Sequence, residues 1–281
     1  MIVADPRRAK AVTVARYALL IAGGLVMALP FVYLVSTSFK TRTFVFELPP
    51  RLIPKEPTLD NYRQAWGSDH FARYFRNSLL VAASTTFVAV LLSAMSAYAF
   101  ACFEFVGKRL LFGGLLIGLM VPMVMLVIPQ FVLAKRLHLV DSLAGLVLFY
   151  VGAAVALNTF LLRGFMEEIP RELEEAMTVD GAGPWRRFTK LYLPLSRPAL
   201  ATVSIFSFLG AWDEYVWALT LINDPAKRTL PIAIALFQGQ HGTSWGLVFA
   251  ASVIAIGPVI AVFLSAQRHF VQGLTTGALK G

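Results

Sequence analysis

Apolar residues along this chain gather into long blocks parted by short charged ones. Six blocks are long enough to cross a bilayer, which takes about 20 helical residues at about 1.5 Å rise each. They are Val12–Val35, Ser78–Phe103, Leu110–Leu133, Leu143–Leu162, Ala199–Ile222 and Trp245–Ala266. Between them lie Ser36–Asn77, "EFVGKR", "AKRLHLVD", a hairpin-like segment from Glu174 to Pro194, and Asn223–Ser244. The pattern predicts an all-α integral membrane protein, residues 1–281 forming a single transmembrane domain of six helices. The first block follows a basic start but is too long for the apolar region of a signal peptide, so it reads as a retained span.

Breaks punctuate the spans. Pro122 and Pro129 fall in the third and Gly257-Pro258 in the sixth. Proline lacks a backbone donor and clashes one turn back, so each predicts a kink. Packing kinks and bends that shape a translocation path both fit. In the segment 36–77, "TLDNYRQAW" reads as a short helix capped by Asp60. "DHFARYFRNSLL" reads as an amphipathic helix lying at the membrane interface before the second span.

Composition supports the membrane reading: 57% of the 281 residues are hydrophobic and 15% charged, with a mean hydropathy of +0.68. A soluble domain is nearer about 25% charged. The net charge of +9 does not point to nucleic acid, because the basic residues sit at the ends of apolar blocks, where they orient and anchor spans. With both termini inside, fourteen of the 25 basic residues fall on the cytoplasmic side and eleven outside. Arg7, Arg8, Lys10 and Arg16, beside the first span, favour that orientation. The segment 36–77 is then extracytoplasmic. Cys102 stands alone in an apolar run, which excludes an intrachain disulfide and a cysteine metal framework. The four histidines are far apart, and neither a nucleophile elbow nor a phosphate-binding Gly-Lys loop is present. No catalytic or metal residue is therefore assigned. If nucleotide energy drives the protein, another chain binds the nucleotide.

The hairpin is the polar element with most internal order. "IPRELEEAMTV" places Pro170 and three acids early, where a helix dipole favours negative charge. Asp180-Gly181 stops that helix, with glycine as a left-handed cap. Pro184 opens a second helix, and Leu193-Pro194 with Pro198 breaks the chain before the fifth span. Two short helices about a tight turn make a knob. It either covers helix ends or docks into a cytoplasmic partner.

Here a resemblance enters. Glu175-Ala176-Met177, three residues, Gly181, nine residues, then Leu191-Tyr192-Leu193-Pro194 resembles the EAA loop of ABC importer permeases. Met177 and Leu191 are mild departures from that pattern. The tail "QRHFVQGLTTGALKG" and the segments "RYFRNSLLVA", "FLLRGFMEEIPRELEEA" and "AWDEYVWALTL" are similar to the maltose-permease-like group serving carbohydrate and glycerol-phosphate uptake. Asp213 stands where that group typically has Asn. The resemblance implies the type I importer permease fold in a bacterial inner membrane. It also implies a cytoplasmic coupling loop at 164–198 and a cytoplasmic tail at 267–281. Implied partners are a second homologous permease, two ATPase subunits that hold ATP and Mg, and an extracytoplasmic solute-binding protein. This chain would bind no cofactor. The coupling residues carried over are Glu175, Ala176, Asp180, Gly181, Leu193 and Pro194. A self-contained secondary transporter or channel is the alternative.

Acids inside a membrane span are costly and mark a path or a pairing site. Asp213 and Glu214 lie in the fifth span. Leu209, Asp213 and Trp217 fall on one stripe at four-residue spacing, and Phe206 extends it three residues earlier. A carboxylate between aromatic rings suits a sugar, though pairing with a neighbouring cation suits it too. Asn158 and Gln130 are further candidates for the path, or simple packing groups.

Overall fold

The computed structural model describes residues 6–41, 51–68, 70–239 and 242–278. Four helices are each long and apolar enough to cross a bilayer: Val12–Ser38, Phe71–Cys102, Leu143–Glu167 and Trp245–Ser265. Two sharply bent pairs raise the number to six if each counts as one span. The all-α architecture holds, apart from a ribbon pairing Gln238–Gly239 with Gly242–Thr243.

The chain packs as two compact units. The first comprises Met1–Ser68 and Phe237–Ile254. Here α1 (Pro6–Ser38) runs on through Pro30, and its most apolar stretch contains no buried residue. Its far end is fastened by polar contacts. The Asn61 amide donates to the carbonyls of Ser38 and Lys40, both at 2.8 Å, and Thr58 N–H donates to Phe39 O at 2.8 Å. Asn61 belongs to α2 (Asp60–Gly67). Asp60 does not cap that helix, contrary to expectation. It is the first helical residue, and its N–H donates to Thr58 Oγ1 at 3.0 Å.

The second unit, Asp69–Leu236 with Ala255–Gly281, is built around α3 (Phe71–Cys102). The expected separate interfacial helix does not exist. "FARYFRN" forms the first turns of α3 itself, with Phe71 and Tyr74 buried and Arg73 and Arg76 exposed. Further along, Thr85, Ala89, Ser93 and Ala97 recur at every fourth position and are all buried. Lipid tails are as apolar as leucine, so helix association in a bilayer rests on close approach, which small side chains allow.

After Cys102 a short turn leads into α4 (Lys108–Met120). The third span is not kinked but folded over. A 3-10 turn (Met123–Leu126) joins α4 to α5 (Val127–Arg136) at 97°. Pro122 excludes the helical conformation at Val121, whose backbone is extended. Pro129 produces no kink, because it sits in the first turn of α5, where no N–H donor is required. α5 closes through the positive-φ residue His138, with Leu139 N–H on Ala134 O at 2.9 Å.

Next comes α6 (Leu143–Glu167), which packs along α3 and α10 (Arg197–Trp212). Between α5 and α6, Asp141 (φ 55°) donates its N–H to Leu221 O at 3.0 Å. Its carboxylate accepts the amides of Asn223 at 2.6 Å and Asp224 at 2.8 Å. Those two backbone donors, Asp224 first, hold the carboxyl below its ordinary value. Gly145 approaches the same loop so closely that a Cβ there would lie 2.4 Å from Leu139 O. The last helix, α12 (Trp245–Ala278), continues through Pro258. The expected tail at 267–281 is helical as far as Ala278, and its last three residues lie outside the described ones.

Two outcomes follow. A carboxyl whose folded value is depressed stabilises above its unfolded value, and that contribution is lost as pH falls through the folded one. Exchange protection of the Asn223 and Asp224 amides should therefore fall as pH drops below the ordinary Asp value of 3.8. In Asp141→Asn, which tolerates the same backbone conformation, protection should be lower and no longer depend on pH. Gly145→Ala should cost about 1–3 kcal/mol by overpacking, read as a lower unfolding temperature in detergent, whereas Gly152→Ala, with open space around it, should be neutral.

Candidate functional site

The hairpin begins with α7 (Arg171–Val179), preceded by Pro170 in extended geometry and carrying Glu172 and Glu174 in its first turn. Gly181 takes φ +75°. Ala182 N–H donates to Met177 O at 2.8 Å and Gly181 N–H to Thr178 O at 3.0 Å, the paired bonds of a Schellman cap. Pro184 then stands at the first position of α8 (Pro184–Arg187). The chain does not break at Leu193-Pro194 as expected. A π turn (Phe188–Tyr192) widens the helix, with Leu193 N–H reaching back to Phe188 O. This widening accommodates a proline that has no donor of its own and would otherwise crowd the preceding turn. α9 (Leu193–Leu195) follows, and the bend of 78° comes at Ser196.

One carboxylate braces the interior of the knob. Glu174 accepts from Arg187 at 2.8 Å and from the Tyr192 hydroxyl at 2.7 Å. Arg187 also donates to Thr178 Oγ1 at 3.1 Å. The knob is tied to α3 as well: the Tyr98 hydroxyl donates to Pro184 O at 3.0 Å, and its ring lies 5.1 Å from Phe188 and 4.9 Å from Tyr192. Leu162, Met166 and Leu191 complete that apolar seat. The other side is bare. Glu175, Ala176, Asp180 and Gly181 are exposed, as are Val179 at 88% and Trp185 at 65%. Leu193 and Pro194 are half-buried at the root.

The acids of the fifth span lie at a helix break. α10 ends at Trp212 and α11 (Val216–Leu221) begins again beyond Tyr215. The anticipated stripe is therefore interrupted. Trp217 lies buried against Phe149 at 4.9 Å, whereas Asp213 and Phe206 are exposed. Glu214 explains the restart, since its carboxylate accepts the N–H groups of Trp217 at 2.7 Å and Ala218 at 2.9 Å. It also accepts the Tyr150 hydroxyl at 2.5 Å. Asn158 is buried and donates to Ser207 Oγ at 2.7 Å, joining α6 to α10. Gln130 is half-buried on α5.

The family model described as "Binding-protein-dependent transport system inner membrane component" matches residues 89–276, most of this chain and all of both features above. The chain belongs to that family. This importer component is 40% identical over 255 residues to the trehalose transport system permease protein SugB of Mycobacterium tuberculosis, covering 90% of this chain and 92% of that one. It is 37% identical over 271 residues to the trehalose/maltose transport system permease protein MalG of Thermococcus litoralis, covering 94% and 96%. Its fold matches a chain in the crystal structure of a bacterial ABC transporter involved in the import of alginate. The TM-score is 0.80 at 24% identity, covering 96% of this chain and all of that one.

Within the importer component, reading the chain as a sequence missed the Glu174 brace. Glu174 and Glu175 are adjacent and chemically alike, and only the packed partner Tyr192, eighteen positions on, separates their roles. A β-branched residue in left-handed geometry costs about 1–2 kcal/mol. Gly181→Val should therefore raise amide exchange at Gly181 and Ala182 by roughly five- to thirtyfold, while Gly181→Asn should stay near the parent. Equal exchange in the two variants would show that the cap does not hold the turn.

Proposed function

We propose that this chain forms half of the translocation pathway of an ATP-driven importer for a sugar. A second homologous permease supplies the other half, two ATPase subunits hold ATP and Mg, and an extracytoplasmic binding protein delivers the solute. Both termini are cytoplasmic, and this chain binds no cofactor. The observation that carries the reading is the knob itself: capped, braced within by Glu174, seated on α3, and bare at Glu175, Ala176, Asp180, Gly181 and Trp185. A rigid element with an exposed, mixed apolar and acidic face fits a cleft on the ATPase and transmits its closure to the spans. The names of the relatives, transporters of trehalose and maltose, support a sugar as cargo.

On the path, Asp213 is the acceptor offered to substrate hydroxyl groups, with exposed Phe206 as an apolar face for the sugar ring. Glu214 and Trp217 act behind it. Glu214 rebuilds the helix, and Trp217 wedges α11 against α6. Asn158 holds α6 to α10, and Gln130 remains a weaker contributor.

Affinity purification of the tagged chain from its native membrane should yield a second permease and an ATPase with vanadate-sensitive hydrolysis. Recovery of the chain alone would refute the importer assembly. Gly181→Val should lower uptake per ATP hydrolysed, and normal uptake with normal hydrolysis would refute the lever. Asp213→Asn should weaken uptake about tenfold, the value of one hydrogen bond to a charged group, with assembly intact. Trp217→Ala is expected instead to destabilise by about 3–5 kcal/mol, because its ring is core.

A further inference from the structure

A cavity of about 1490 Å³ opens beside the hairpin, walled by the ends of α3 and α6, the start of α4, and α7. Its walls differ in chemistry. Leu110 and Gly113 of α4 and Phe105 line it together with cations from four helices, one of which, Arg163, lies 4.0 Å over the ring of Phe112. Three of these cations are already paired. Lys108 meets Glu104, Arg163 meets Glu167, and Arg187 meets Glu174, each at 2.8 Å. Arg109 and Arg171 are exposed and make no ion pair or hydrogen bond among the described residues. Of the carboxylates on the wall, only Glu175 likewise stands outside an ion pair. Both free guanidiniums are near enough to Glu104 to join Lys108, whose hydrogen bond is the leading cause, in holding that carboxyl low. At the tip of the α3–α4 turn, Phe105 and Val106 are exposed. Apolar tips beside basic residues mark segments lying at headgroup level.

We propose that this cavity holds the headgroup of an anionic phospholipid. Arg109 and Arg171 grip its phosphodiester, and exposed Leu110 and Phe105 take the first carbons of its chains. Guanidinium forks suit phosphate oxygens, and a soluble phosphate would leave the apolar wall idle. The lipid bridges the α3–α4 turn to α7, so its charge stiffens the hairpin from the membrane side. None of this depends on which solute is carried or on ATP hydrolysis.

The test uses the intact importer complex, purified in mild detergent and incubated with phosphatidylglycerol, phosphatidylcholine or inorganic phosphate. Native mass spectrometry then counts the lipids retained. The expected result is phosphatidylglycerol retained about tenfold over phosphatidylcholine and not displaced by phosphate. In Arg109→Gln/Arg171→Gln, retention should fall to the phosphatidylcholine level. A control with the same charge loss at the other end of α3, Arg73→Gln/Arg76→Gln, should retain the lipid. If the double variant fails to assemble, Arg171→Gln alone decides by the same count. Equal retention of both lipids, unchanged retention in the variant, or equal loss in the control would overturn the site. Displacement by phosphate would overturn the lipid as its occupant and leave a soluble anion.

Discussion

In a bilayer there is no water to satisfy a backbone group left over when a helix stops, and the whole arrangement follows from that constraint. Several helix ends and restarts in this protein come with their own partners. Glu214 feeds two donors of α11. Asp141 takes the two amides beyond that helix, while its own N–H returns to Leu221. At the end of α5, His138 adopts the conformation usually left to glycine so that the carbonyl of Ala134 is met. Glu214, which looks like part of a path when read along the chain, lets α11 start again after the break in the fifth span.

Helix contacts obey the same economy. The fourfold repeat of small residues on α3 lets α6 and α10 come near enough for Asn158 and Ser207 to bond. The hairpin extends this packed unit rather than hanging from it. Tyr98, on the same helix as the repeat, reaches the Pro184 carbonyl. Force applied at the exposed tip therefore meets α3 through a hydrogen bond and tilted, packed rings before it meets any loop.

The sequence showed the all-α membrane class, both helices of the hairpin and its left-handed glycine, because length, apolarity and glycine chemistry are local signals. It did not show the depth of the bend at Pro122. A proline announces only that a helix is disturbed, and the angle depends on what packs on either side. The stop at Asp213 was hidden for a different reason: no proline marks it, Gly210 lies within α10, and the restart depends on Glu214 accepting the amides of Trp217 and Ala218. The supposed stripe of Phe206, Asp213 and Trp217 assumed an unbroken 3.6-residue period, so a single missing turn moved Trp217 into the core. Of the residues the motif singles out, Glu175, Ala176, Asp180 and Gly181 are exposed on the hairpin, while Leu193 and Pro194 are helical rather than a break.

The π turn at Phe188–Tyr192 gives the spacing of the hairpin motif a meaning of its own. A π turn is an α turn with one residue too many. Deleting one residue from that stretch would leave a shorter but still regular helix. The extra residue is absorbed within the widened turn instead of adding the about 100° that a residue of α-helix brings, so Trp185 and the bare face keep their azimuth relative to Leu191 and Tyr192. The count of residues between the glycine and the proline thus includes one that lets Pro194 into the helix without turning the face the hairpin presents.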